Sequence, residues 1–206
     1  MIGQLATSFP DTWGLIPKGL YLFGSGGIGG YGSTCGAVMG SIAVMTQVGA
    51  PAAFKNEMQA WYERTLIPSN AAYLDYRSGT WTPVGGVWGG TGVPIPLNNA
   101  PKARPNSVLC HASHTNWRAV SASWLAANGA GANQDRCSKL VYDCVFKLAS
   151  LLNTWKAGGS VSGAVDASVG ACKASGCHGS PGYPEASGSM KCTPCHTQRI
   201  GDNHNL

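Results

Sequence analysis

Charge is what this 206-residue chain has least of. Charged residues make up 11% of it, less than half the share of about 25% in an average soluble protein. Acidic residues are scarcest, with 9 Asp+Glu against 14 Lys+Arg and a formal net charge of +5. The basic residues are scattered and form no run, so the electrostatic footprint of a nucleic-acid-binding protein is missing. There is no continuous apolar stretch of the roughly eighteen residues a membrane span needs. Met1 to Pro10 also lack the basic start and apolar core of a secretion signal. The length suits one domain, or one domain with a substantial appendage, and suffices to bury a core.

What is abundant is Gly (29) and Pro (12), and these punctuate the chain unevenly. An apolar N-terminal stretch runs into Gly24-Ser25-Gly26-Gly27-Ile28-Gly29-Gly30. From Ser33 to Val48 small and apolar residues predict a buried helix able to pack closely. Phe54, Met58, Trp61 and Tyr62 recur at three- and four-residue steps and predict a second helix over Ala52 to Leu66, ended by Pro68. Residues 79–105, with Trp81 and Trp88 among many Gly and Pro, predict an ordered irregular loop. Further helices are predicted over Ser113 to Asn128 and Gln134 to Lys156. The last carries an apolar stripe of Cys137, Leu140, Cys144, Leu148, Leu151 and Trp155, and is stopped by Gly158-Gly159.

Beyond Gly158 the periodicity disappears, leaving Gly, Ser and Ala with four of the 8 Cys. A segment with no core of its own needs a covalent or metal-centred organiser. Cys192-Thr193-Pro194-Cys195-His196 is the C-x-x-C-H pattern of c-type haem attachment, in which two thiols bond one edge of the porphyrin and the following His binds iron. Cys172-Lys173-Ala174-Ser175-Gly176-Cys177-His178 repeats the device with four residues between the thiols. The competing reading is zinc on Cys172, Cys177, Cys192 and Cys195, whose spacing approaches that of a four-thiolate site. Zinc leaves both His unexplained, so two haem c per chain is the better reading. The haem propionates would then offset much of the formal charge. His178 and His196 are the proximal iron ligands. For the distal side the candidates are His111 and His114, three residues apart at a helix start, with His204 and Met190 behind them.

With these residues in hand the sequence resembles the split-Soret cytochromes c and the wider C_GCAxxG_C_C redox-active group. The resemblance is carried by Gly26 to Ala37, Trp61 to Thr65, Ser107 to Ser113, Arg136-Cys137 through Asn153, and the C-terminal motifs. It implies a mainly α protein with two c-type haems per chain. It also implies a homodimer that clusters four haems, with a distal ligand able to come from the partner subunit, and electron transfer in anaerobic respiratory metabolism.

Cys35, Cys110, Cys137 and Cys144 remain. On one helix Cys137 and Cys144 stand about 10.5 Å apart along the axis, too far to bridge each other. A redox-active disulfide or metal site among the four is the functional alternative to buried structural thiols. Gly24-x-Gly26-x-x-Gly29 matches a dinucleotide fingerprint, but no acidic residue follows between Asp11 and Glu57, so a tight turn packed on the first helix is expected instead.

The combined expectation is a mainly α fold. A helical C_GCAxxG_C_C-like domain spans 1–157, with the irregular loop at 79–105, and a coil-rich segment over 158–206 wraps two c-type haems. Its function is expected to be electron transfer rather than catalysis. The weighed alternatives are a haem enzyme with an open iron site and a haem-bearing subunit of a larger assembly. Redox partner proteins and a homodimer or larger homo-oligomer are expected, with no nucleic acid and no membrane span. Covalent haem attachment happens outside the cytoplasm, which predicts a periplasmic or otherwise exported protein whose signal is removed or lies outside this numbering.

Overall fold

A computed structural model of the chain describes residues 7–8, 10–11, 13–16, 23–83, 88, 95–129, 131–172 and 189–191. After a short 3-10 turn at Trp13–Leu15, the helices run α1 Gly36–Gln47, α2 Ala52–Arg64, α3 Ala71–Arg77, α4 Cys110–Asn128, α5 Ala132–Lys156 and α6 Ala167–Cys172. Among the described residues the extended pairings are isolated bridges, Thr34 with Leu109 and Ile67 with Ala103. The fold is mainly α, as the periodicity predicts.

The core lies where α1, α2 and α5 meet. Val38, Val44 and Met45 face Phe54, Met58 and Tyr62, and Leu140, Cys144, Leu148 and Leu151 close the third side. Phe54, Met58 and Tyr62 are spaced four apart and so share one face of α2. On α5 the expected stripe is buried from Leu140 to Leu151, and Trp155 packs at its edge. Cys137, the first member of that stripe, is instead exposed. At this end of α5 the buried face has turned to Ala132, Asp135, Arg136 and Lys139, which point at α4 and the long loop.

The helix expected from Ala52 starts there, whereas the other three expected starts differ by two or three residues. The chain before α1 is extended because Cys35 N–H donates to the Val108 carbonyl at 2.8 Å, and Cys110 N–H returns a bond to Ser33 at 2.6 Å. That pairing delays α1 to Gly36 and lets α4 begin at Cys110, three residues before Ser113. Two helices carry no apolar repeat and were not expected. In α3, Asp143 anchors the entry by accepting from Ser69 N–H at 2.6 Å. In α6, the Asp166 carboxylate accepts from Ser168 N–H at 2.9 Å, a side-chain N-cap in a segment otherwise coil-rich.

The long loop lacks helix and strand wherever it is described, and polar anchors hold it in place. The Trp88 indole donates to Asp135 at 2.6 Å, as does Leu97 N–H at 2.9 Å. Trp117 donates to the Pro101 carbonyl at 2.8 Å. Lys139 lies 2.9 Å from Asp135, with both side chains fully buried. Trp81 stands edge-on to Trp88 and to Tyr142, at centroid distances of 5.5 and 5.0 Å.

Candidate thiol and haem site

Two glycine-dependent contacts bring the first thiols together. A Cβ on Gly27 would stand 2.7 Å from the Cβ of Cys110, and Gly27 has φ +75°, so the loop meets α4 only with hydrogen at this position. A Cβ on Gly36 would stand 2.3 Å from the Gly24 carbonyl oxygen, which fixes the other end of the loop against α1. The dinucleotide-like glycines thus form the expected tight turn. The result places Cys35 as the N-cap of α1 and Cys110 as the first residue of α4. Helix N-termini carry partial positive charge.

From α5, Cys144 enters the same core as Cys35, and both are buried. Cys137 stands on the exposed side, and all four cysteines are free thiols. They sense one another electrically. Burial raises the Cys110 thiol above its ordinary range, with Cys35 and Cys137 adding to the effect and Arg136 opposing it. Burial pushes Cys144 up strongly, helped by Cys35 and Asp143 and again opposed by Arg136. Among the described residues no three metal-ligating side chains converge on one point.

Three polar side chains that sequence reasoning gave no role surround this cluster. Tyr62 donates to Ser113 Oγ at 2.9 Å, and burial, then Cys35, hold its phenol far above its ordinary value. Arg136 donates to the same Ser113 Oγ at 2.6 Å and to the Ser113 carbonyl at 3.2 Å. Its other terminal nitrogen lies 3.9 Å from Cys137 Sγ, and its guanidinium sits 5.6 Å over the Trp117 ring. The available signal was the spacing Ser113, Trp117, Ser121, a buried stripe of small and aromatic residues on α4.

The distal candidates separate. His111 is exposed, and its Nδ1 lies 3.2 Å from the Gly32 carbonyl, which leaves Nε2 without a partner among the described residues. A ring fixed through Nδ1 with a free Nε2 is the usual disposition of a metal-ligating His. His114 has its Nε2 3.3 Å from Asn133 Oδ1, and its ring packs near Trp117. Burial, ahead of the neighbouring Arg136 and Arg118, lowers its pKa, and the Asn133 bond opposes this. Met190 Sδ accepts from Ser107 Oγ at 3.5 Å. Cys172 closes α6. Cys177, His178, Cys192, Cys195, His196 and His204 lie outside the described residues. The approach to the second haem motif is nevertheless docked on the helical body. Lys191 N–H points at Glu63 on α2 at 3.5 Å, and its Nζ lies 3.3 Å from Asp166.

The split-Soret cytochrome c of Desulfovibrio desulfuricans (strain ATCC 27774 / DSM 6949 / MB) is 26% identical over 205 residues, covering 96% of this chain and 66% of its own length. The chain is similar to split-Soret cytochrome c. Its fold agrees as well. A solved structure reporting a novel iron centre in the split-Soret cytochrome c from Desulfovibrio desulfuricans ATCC 27774 superposes with a TM-score of 0.71 at 26% identity, covering 99% of this chain and 81% of that one. No protein-family model matches the chain. The likeness to a split-Soret cytochrome therefore spans the helical body and the tail together.

Proposed function

We propose that this chain is a dihaem c-type cytochrome that transfers electrons. The observation that carries the reading is the paired Cys-His motifs in a chain similar to split-Soret cytochrome c across 96% of its length. Cys172 and Cys177 hold one haem and Cys192 and Cys195 the other, with His178 and His196 as proximal ligands. Bound haem iron supplies a one-electron redox couple whose potential the protein sets through ligands, burial and nearby charge.

His111 is the better distal ligand, because the Gly32 carbonyl orients its ring while Nε2 has no partner among the described residues. His114 would have to give up Asn133 to serve the second haem. Two imidazoles on each iron leave no vacant site, which favours electron transfer over reductase chemistry. Clustering of haems across a homodimer, location in the periplasm after export, and a role in anaerobic respiration complete the reading.

The relative is a cytochrome with a novel iron centre, but as Cys35, Cys110, Cys137 and Cys144 are placed here no three metal-ligating side chains among the described residues come together, so these thiols do not by themselves fit such a centre.

A pyridine haemochrome spectrum with intact mass tests the core of this. Two covalent haems per chain are expected. A mass equal to the bare polypeptide, or a colourless protein with one zinc, overturns it. Rapid carbon monoxide binding by both ferrous haems would overturn the bis-His assignment. Light scattering on size-exclusion chromatography should give a dimer mass.

A further inference from the structure

A disulfide needs two thiols where a metal centre needs three ligands or more, and one of the two must meet solvent to react with an oxidant. Cys137 is exposed and Cys110 half-buried, whereas Cys35 and Cys144 are closed within the core. All four lie outside the haem motifs, so chemistry at Cys110 and Cys137 does not rest on the haem reading.

One side chain ties the two helix ends that carry these thiols. Arg136 on α5 donates to the Ser113 hydroxyl and carbonyl at 2.6 and 3.2 Å, one turn after Cys110 on α4, and its other terminal nitrogen lies 3.9 Å from Cys137 Sγ. Burial, then Cys35 and Cys137, raise the Cys110 thiol above its ordinary range, which places Cys137 within electrostatic reach of Cys110. Arg136 is itself 2% exposed, its Nε has no hydrogen-bond partner, and no carboxylate pairs with it among the described residues. Taking a charge out of water without an opposite charge costs several kcal/mol. A neighbouring sulfur that carries negative charge supplies what the guanidinium lacks.

We propose that Cys137 and Cys110 form a dithiol pair that reacts with low-molecular-weight disulfides of the glutathione class, with Arg136 as the positioning residue beside the attacking sulfur. Cys137, having given its proton to solvent, attacks one sulfur of the small disulfide, which releases one thiol and leaves a mixed disulfide on Cys137. Cys110, deprotonated in turn, attacks the Cys137 sulfur, expels the second thiol and closes the bond between Cys110 and Cys137. The pair loses two electrons and two protons, and the small disulfide takes them up as two thiols.

The test is incubation of the holoprotein with oxidised glutathione, followed by peptide mapping by mass spectrometry without reduction. A bridge between Cys110 and Cys137 is expected, opened again by dithiothreitol. Cys110→Ser should stop at one glutathionyl group on Cys137, and Cys137→Ser should form no bridge. Arg136→Gln is expected to slow modification of Cys137 by about tenfold, the worth of one charge-assisted hydrogen bond, while Arg136→Lys stays within about threefold of wild type. A bridge that includes Cys35 or Cys144 overturns the proposal, as does a lasting mixed disulfide in the wild-type chain or a Cys137 left unmodified. An unchanged rate in Arg136→Gln overturns the part given to Arg136. If Arg136→Gln does not fold, the two cysteine variants still decide the pairing.

Discussion

The Ser113 hydroxyl accepts two buried hydrogen bonds, from Tyr62 at 2.9 Å and from Arg136 at 2.6 Å, and so ties α2, α4 and α5 at one atom. Ser113→Ala removes the acceptor for both donors while its backbone carbonyl still holds Arg136. Leaving a buried donor unsatisfied costs about 1–3 kcal/mol. Urea denaturation should show a loss in that range. A midpoint equal to wild type would mean the two donors find other acceptors.

Asp135 links the long loop to α5. Asp135→Asn leaves the fully buried Lys139 without its counter-charge and weakens the bonds from Trp88 and Leu97. Breaking one side of a buried ion pair costs about 3–5 kcal/mol. Thermal melts should place this variant well below the double replacement Asp135→Leu with Lys139→Met, which removes both charges. If the single variant proves the more stable, the pair does not hold the loop.

Two glycines four residues apart should respond with opposite signs. Gly36→Ala drives a methyl to 2.3 Å from the Gly24 carbonyl oxygen, a rigid backbone atom, and overpacking of this kind costs about 1–3 kcal/mol or more. Gly40 lies within α1 with open space around the added Cβ, and Ala there should stabilise by about 0.8–1 kcal/mol through helix propensity. Differential scanning calorimetry of the two variants checks the contrast.

Glu63 supplies a pH dependence. It is buried on α2, and burial raises its carboxyl above the ordinary range, while the N–H groups of Lys191 and Val108 oppose the shift and Asp166 reinforces it. The folded chain therefore binds this proton more tightly than the unfolded chain. Its contribution is complete below the unfolded carboxylate value and is lost as pH rises through the folded one. Glu63→Gln should accordingly gain more Tm over wild type at pH 7 than at pH 4. An equal gain at both pH values would rule out this titration as the source.

Much of the helical body was legible because its signals are periodic. Leu140, Cys144, Leu148 and Leu151 repeat as a helix must if it buries one face, and the Gly/Pro content of 79–105 forbids regular structure there. Helix starts were less legible, since Cys110 begins α4 only because Ser33, far away in sequence, pairs with it. The short α3 and α6 have polar anchors in place of an apolar repeat. At the site, the thiols could be counted but not assembled. Arg136 was hidden for a different reason: a charged residue on an amphipathic helix reads as a solvent-facing position until a neighbouring helix is seen to cover it.

The pairing of Ser33 and Cys35 with Val108 and Cys110 runs entirely through main-chain atoms. Side-chain identity at either thiol does not enter it. A chain with Cys35 or Cys110 replaced by Ser should therefore keep the same backbone frame, so thiol chemistry here can be altered without dismantling the fold around it.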